Sequence, residues 1–395
     1  MGQIVSVTGS QMQLVAINWH VYLLTKSALA LGLVGLFRGL PVILCSLVGG
    51  VVADAVDRKR LMIATQSVML VSAAALTATT LAGSQSVWPI YLLSALASTA
   101  TAFDIPARQS MMPTLVPLED FPNAVSLGMI VFNVATISGP AIAGVLLAQS
   151  GPGLIYGINA ASFVAVIFAL LAMHVSGSPE LQTDRKNALS FAALKEGLAF
   201  VWRTPIMVQT MTLDFVATFF ASASMLLPIF ARERLHVGPN GYGWLAAAPA
   251  IGSVITAYII ARLGTLQRQG RIVVWAVAVF GVATAAFGVS RVFWFSLLMP
   301  AVTGAADTVS TVLRQTIRQL VTPNYLRGRM TSINMMFFMG GPQLGELEAG
   351  LVAALIGAPL SVVVGGLGST LAAGIAAVKS KSLLEFEMKH HDTVI

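Results

Sequence analysis

Stretches of about twenty mostly apolar residues follow one another along almost the whole chain, and the short connections between them carry most of the charge. Roughly twenty residues is the length an α-helix needs to cross the hydrocarbon core of a bilayer. Twelve such spans are read, near 4–24, 29–52, 61–83, 88–107, 124–148, 153–175, 207–230, 242–262, 272–290, 293–313, 330–356 and 359–378. No water reaches backbone groups at that depth, so each span has to bond its own amides, as a helix does. The other solution, a closed barrel, needs polar and apolar residues in alternation, and runs such as Val68 to Ala78 show none. Charged residues are 10% of the chain, against about 25% in a soluble domain. The expected fold is an all-α membrane protein with twelve transmembrane helices in two pseudo-symmetric six-helix bundles.

The net charge of +7 is spread as small basic clusters between apolar runs, with no long basic face, so nucleic acid is not expected as a partner. Placed against the twelve spans, Lys and Arg fix an orientation. With both termini in the cytoplasm, the inner connections hold Arg58, Lys59, Arg60, Arg108, Arg185, Lys186, Lys195, Arg203, Arg262, Arg268, Arg271, Arg314, Arg318, Arg327, Arg329, Lys379, Lys381 and Lys389. The outer ones hold only Lys26, Arg232, Arg234 and Arg291. The single cysteine, Cys45, excludes a disulfide framework and reads as a small buried thiol. No cleavable signal peptide is visible.

The two halves repeat at a nearly constant offset. Arg108-Gln109 returns as Arg314-Gln315, Pro117 as Pro323, Ser126 as Ser332, Gly139 as Gly345 and Gly144 as Gly350, all 206 residues apart. Gly35 and Pro41 return as Gly243 and Pro249, 208 apart. Two parallel six-helix repeats imply a two-fold axis along the membrane normal, a substrate site near the midplane and alternating access. The expected organisation is an N-terminal bundle over 1–175, a cytoplasmic linker over 176–204, a C-terminal bundle over 205–380 and a cytoplasmic tail over 381–395. Within the linker, Phe191 to Trp202 has apolar residues at helical spacing and reads as an amphipathic helix on the inner membrane surface.

After the second span comes Gly49-Gly50-Val51-Val52-Ala53-Asp54-Ala55-Val56-Asp57-Arg58-Lys59-Arg60. Small residues allow close helix approach, and a carboxylate at a helix end beside cations can act as a breakable latch. Gly50, Asp54, Arg58 and Lys59 resemble the loop pattern of the major facilitator superfamily, although Ala55 and Asp57 depart from it. The Ala-Asp-x-x-Asp-Arg form, Phe103 to Gln109 and Tyr242-Gly243-Trp244-Leu245 are similar to the branch that contains enterobactin exporters and macrolide efflux pumps. The resemblance covers nearly the whole chain and implies the major facilitator fold and export. In proteins of this kind a short basic segment precedes the first span, so a start upstream of Met1 is expected. The second half keeps a worn loop copy, Arg262 to Arg271, without the aspartate. Gly139, Pro140 and Gly144 in span five resemble the family's antiporter motif, which implies proton exchange; a packing kink explains the same residues.

Ionisable residues inside spans are costly and usually face a cavity or a partner. Asp214, Glu346, Glu348 and Arg38 are therefore candidates for proton coupling or the substrate cavity, with Asp214 and Glu346 leading and Arg38 a possible structural counter-ion. Glu346 and Glu348 cannot share a helix face. Gln11 and Asn18, seven apart on a polar first span, are expected to line the cavity. His20 reads as a hydrogen-bonded structural histidine. Trp19, Phe37 and Phe132 suit either a large organic substrate or helix packing. Asp104 with Arg108, and Asp307 with Arg314, are expected to join Gly50, Asp54, Arg58 and Lys59 in an inner gate. Asp307 and Arg314 share a face but stand too far apart for a tight pair.

No phosphate-binding G-x-x-x-x-G-K-[ST] loop, paired-histidine metal site or nucleophile triad is present. The chain is therefore not expected to be an enzyme and calls for no cofactor. The expectation is a secondary active transporter in the bacterial inner membrane, acting as a monomer. It would use protons to export small amphipathic organic molecules, drug-like or siderophore-like. A lysophospholipid or lipid flippase on the same scaffold is the alternative, and a membrane enzyme or sensor a more distant one.

Overall fold

Hydroxyls show how the helices live without water. Ser67 donates to the carbonyl of Ile63, Ser72 to Val68, Thr77 to Ala73 and Thr80 to Leu76, each one turn back on the same helix. A side chain satisfied by its own backbone can face lipid at little cost. The computed structural model describes residues 2–173, 199–222, 224–263, 267–323 and 326–386. The helices are α1 (Gly2–Thr25), α2 (Ala28–Ala55), α3 (Arg58–Leu81), α4 (Trp88–Leu115), α5 (Phe121–Ala172), α6 (Pro205–Phe220), α7 (Gly238–Leu263), α8 (Gln269–Val289), α9 (Phe293–Val321), α10 (Arg327–Ile356) and α11 (Ala358–Lys379).

Among the described residues, nine helical stretches are long and apolar enough to cross a membrane. The difference from twelve has physical causes. α5 counts once, yet its 52 residues are broken at Gly151, whose φ of 74° is open to glycine alone among unstrained residues. That break separates the expected fifth and sixth spans. α1 and α10 are not among the nine: α1 carries Gln3, Gln11, Gln13, Asn18 and His20, and α10 carries Glu346 and Glu348. The expected seventh span ends early. α6 stops at Phe220, and a 3₁₀ turn at Ser224–Leu226 and a π-helical turn at Phe230–Arg234 complete the stretch.

The exterior is apolar. Leu355 is 85% exposed, Val378 83% and Trp294 74%, whereas Asp104, Asn159, Asp214 and Arg314 are all buried. Large exposed aliphatic faces over buried charges suit a lipid solvent and not water.

Two compact units result. The first joins Met1–Gln182 with Met225–Ala247, and the second joins Thr183–Ser224 with Ala248–Ile395. In this division 225–247, which follows α6 and was expected in the C-terminal bundle, packs in the first unit. Tyr242 donates to the carbonyl of Val15 and stacks on Trp19 at 5.3 Å, and these contacts hold the segment to α1. The linker 176–198, most of the expected surface helix and the tail beyond 386 lie outside the described residues; 199–203 is helical.

Internal packing repeats between the units. α3 lies against α4 and α5, and its counterpart α8 against α9 and α11. α1 lies against α5, and α6 against α10 and α11. α2 crosses α4, where a Cβ on Gly49 would come 2.4 Å from the Ala102 carbonyl oxygen. α7 crosses α9 more tightly still, since a Cβ on Gly304 would come 1.9 Å from that of Pro249. The core of the second unit gathers Met207, Met211, Val273, Val277, Leu313 and Ile317, and that of the first includes Met69, Ala73, Ala100 and Phe163.

Candidate functional site

Four polar residues of α9 fall on one stripe: Asp307, Thr311, Arg314 and Arg318, spaced by four, three and four. α6 brings Asp214 against that stripe. Oδ1 of Asp214 is 2.8 Å from Nη2 of Arg314, and Oδ2 is 4.0 Å from Nη2 of Arg318. The same Nη2 of Arg314 is 4.0 Å from Oδ1 of Asp307 and donates to Oγ1 of Thr311 at 3.1 Å. Thr311 donates onward to Asp307 at 3.4 Å, and Nε of Arg318 donates to the Arg314 carbonyl at 3.1 Å. Two carboxylates and two guanidiniums thus form one cluster in the second unit. Asp214 and Arg314 are closed to solvent, while the side chain of Asp307 is 46% exposed.

This arrangement joins residues that the sequence reading kept apart. Asp214 was expected as a coupling residue and Arg314 as part of an inner gate, yet they are direct partners. The Asp307–Arg314 separation agrees with a pair too long to be tight, and Thr311 bridges it. Arg318 was counted with the cytoplasmic connections; the structure buries it in α9, one turn beyond Arg314. Its place on the same stripe was the signal available in the sequence. Glu346 and Glu348 lie partly buried on α10, and Arg38 partly buried on α2.

The first unit holds a second cluster. Asp104 of α4 accepts from Oγ1 of Thr65 at 2.9 Å and from Nε2 of Gln66 at 3.0 Å, and it pairs with Arg108 one turn on. Arg58 and Lys59 belong to the neighbouring helix ends. Nη1 of Arg58 donates to the Ser110 carbonyl at 3.1 Å, and Nζ of Lys59 to that of Met173 at 2.5 Å. Lys59 thereby satisfies a carbonyl left open where α5 finishes, and Arg58 adds a second bond to a carbonyl in the last turns of α4. Asp57 caps α3 by accepting from the Arg60 amide at 3.0 Å. Gly49 makes the close contact with α4, whereas a Cβ on Gly50 would meet nothing within 4 Å. The side chain of Asp54 lies outside the described residues.

Polar residues of α1 find partners within the first unit. Gln13 accepts from Nδ2 of Asn159 at 2.7 Å, and Asn159 also accepts from Ser162. His20 meets Tyr156 at 3.3 Å, in the structural role read for it. Asn18 is buried. Gln11 packs where α5 crosses α1, since a Cβ on Gly139 would come 2.6 Å from its Cβ. Phe37 stacks on Tyr91 at 5.0 Å, and Phe132 is exposed. In the span-five motif a Cβ on Gly144 would come 2.9 Å from Cα of Gly243. The non-helical residue inside α5 is Gly151, so the backbone stays helical through Gly139, Pro140 and Gly144. Close by, Oη of Tyr22 donates to Oε1 of Glu233 at 2.5 Å.

The family model described as "Transmembrane secretion effector" matches residues 1–393 of this chain. The chain belongs to that family, within the major facilitator superfamily. Family members are membrane transporters and not enzymes. The chain is 26% identical over 388 residues to the multidrug efflux pump Tap of Mycolicibacterium fortuitum, covering 96% of this chain and 94% of that protein. It is 25% identical over 354 residues to the enterobactin exporter EntS of Salmonella choleraesuis (strain SC-B67), covering 90% and 84%. Among solved structures, the nucleoside transporter NupG aligns with a TM-score of 0.71 at 13% identity, over 96% of this chain and 97% of that one. A bacterial homologue of the iron transporter ferroportin, in its inward-facing state, aligns with a TM-score of 0.70 at 15% identity over 96% and 97%. The secretion effector family thus builds on the major facilitator fold expected from the sequence.

Proposed function

We propose that this secretion effector is a proton-coupled exporter of amphipathic organic compounds, drug-like or siderophore-like. It would act as a monomer in the bacterial inner membrane, with both termini in the cytoplasm. The relatives named as multidrug and enterobactin efflux pumps support export, and the inward bias of Lys and Arg supports the orientation. The observation that carries the coupling is the position of Arg314. Its Nη2 stands between two carboxylates, near to Asp214 and farther from Asp307. A proton on one carboxyl removes its claim on the guanidinium and leaves it to the other. Partial exposure of Asp307 supplies the path by which that proton comes and goes. Moving one proton across 100 mV is worth about 2.3 kcal/mol, ample to drive a substrate uphill.

Everted membrane vesicles holding the protein, given a proton gradient with the interior acid, should accumulate a fluorescent cationic drug. Collapse of the gradient should release it. Vesicles with folded protein that handle a panel of cationic and anionic amphiphiles no better than empty vesicles would count against export.

A further inference from the structure

A pocket opens in the first unit between the first turns of α1, the start of α3 and the last turns of α4 and α5. Its volume is about 190 Å³, a little larger than the roughly 150 Å³ cavity that takes up benzene. Met62, Met111, Met112 and Met173 line it together with Leu170. Thioether side chains are polarisable and reshape easily, so such a wall accepts varied apolar bodies. That volume matches one aryl ring or a short alkyl chain.

The charge of the occupant follows from Arg108, which also lines the pocket and whose side chain is 31% exposed. Nη2 of Arg108 is committed to Asp104, but its Nε is buried without a hydrogen-bond partner. Asp104 receives donors from Thr65, Gln66 and Arg108, so its charge is already answered. Arg58 and Lys59 reach the same end of the unit, at the carbonyls of Ser110 and Met173. Among the described residues that line the pocket, Arg108 is the one that carries a charge. We propose that this pocket binds a small anionic amphiphile, its aryl or short alkyl body against the methionines and its acid group on Arg108. The occupant is either a compound the protein exports or a carboxylate that regulates it.

Protein labelled with [methyl-¹³C]methionine and held in lipid nanodiscs tests this directly. Octanoate should shift the methyl signals of Met62, Met111, Met112 and Met173 saturably. Octyltrimethylammonium should bind at least tenfold more weakly, and Arg108→Gln should erase that difference. Ala169→Phe, at an exposed position on the pocket wall, should abolish the octanoate shifts and leave the other methionine signals unchanged. Equal response to the two charges in the unaltered protein, or shifts that persist in Ala169→Phe, would overturn the proposal. In proteoliposomes, octanoate movement that Ala169→Phe removes identifies the occupant as cargo. Octanoate that binds without being moved identifies it as a regulator; both results uphold the site.

Discussion

Nη2 of Arg314 stands 2.8 Å from Oδ1 of Asp214, and both side chains are almost closed to solvent. Arg108, 206 residues earlier, is the counterpart of Arg314 in the sequence repeat and also pairs with an aspartate. The two pairs differ in origin. Arg108 takes Asp104 from its own helix, whereas Arg314 takes Asp214 from α6. The second unit thus ties two helices together through a buried charge pair, and the first leaves its pair on α4 and supports it with Thr65 and Gln66 of α3. The Arg314 side chain is 2% exposed and that of Arg108 31%, so the pair that joins two helices is the more deeply buried.

Removing one partner of a buried pair strands the other. Arg314→Met should lower stability by about 3 kcal/mol, the lower end of the roughly 3–5 kcal/mol that breaking a buried pair costs, because Arg318 remains 4.0 Å from Asp214. Asp214→Leu combined with Arg314→Met should recover most of the loss. Denaturation of the purified variants checks this, and a double variant no more stable than Arg314→Met alone would show that the pair is not the source.

The crossing of α7 and α9 has no room for a methyl group. Gly304→Ala should destabilise by about 1–3 kcal/mol, because its Cβ would come 1.9 Å from the Pro249 carbonyl oxygen. Gly374→Ala on α11 meets nothing within 4 Å and should be neutral or slightly stabilising through helix propensity. Equal melting temperatures for the two variants would contradict the packing described.

Asn159 holds Gln13 and Ser162 in a buried network. Asn159→Leu should cost about 1–3 kcal/mol by leaving Gln13 unpaired. Combining it with Gln13→Leu should restore part of that cost, again by denaturation; a purely additive double variant would place the loss elsewhere.

The Tyr22 hydroxyl ties the end of α1 to Glu233. Tyr22→Phe should raise amide hydrogen exchange across 230–237 about fivefold, the equivalent of roughly 1 kcal/mol of local stability. Unchanged exchange there would mean that the stacked Trp19 and Tyr242 hold the segment alone.

The fold was legible because bilayer physics leaves few choices. Apolar length, basic connections and the 206-residue repeat led to a helical transporter of two related halves. The site was less legible, since a sequence shows spacing along one helix but not which helix faces it. Asp307 and Arg314 were visible as one stripe. That α6 would present Asp214 to the same stripe, and that Arg318 would be buried with it, depends on helix packing. On α1, likewise, the sequence does not show which neighbours answer the polar residues: Asn159 of α5 pairs with Gln13, and Tyr156 of α5 meets His20. Gly49 and Gly50 are indistinguishable in sequence, and only the crossing with α4 selects Gly49.

The coupling role of the α6–α9 cluster is tested most directly by proton flux driven by substrate, recorded with a pH dye inside proteoliposomes. The unaltered protein should move protons opposite to an added substrate. Asp214→Asn and Asp307→Asn should each stop that proton movement while still letting substrate run down its own gradient. If both variants move protons as the unaltered protein does, the cluster is a structural brace and the coupling site lies elsewhere.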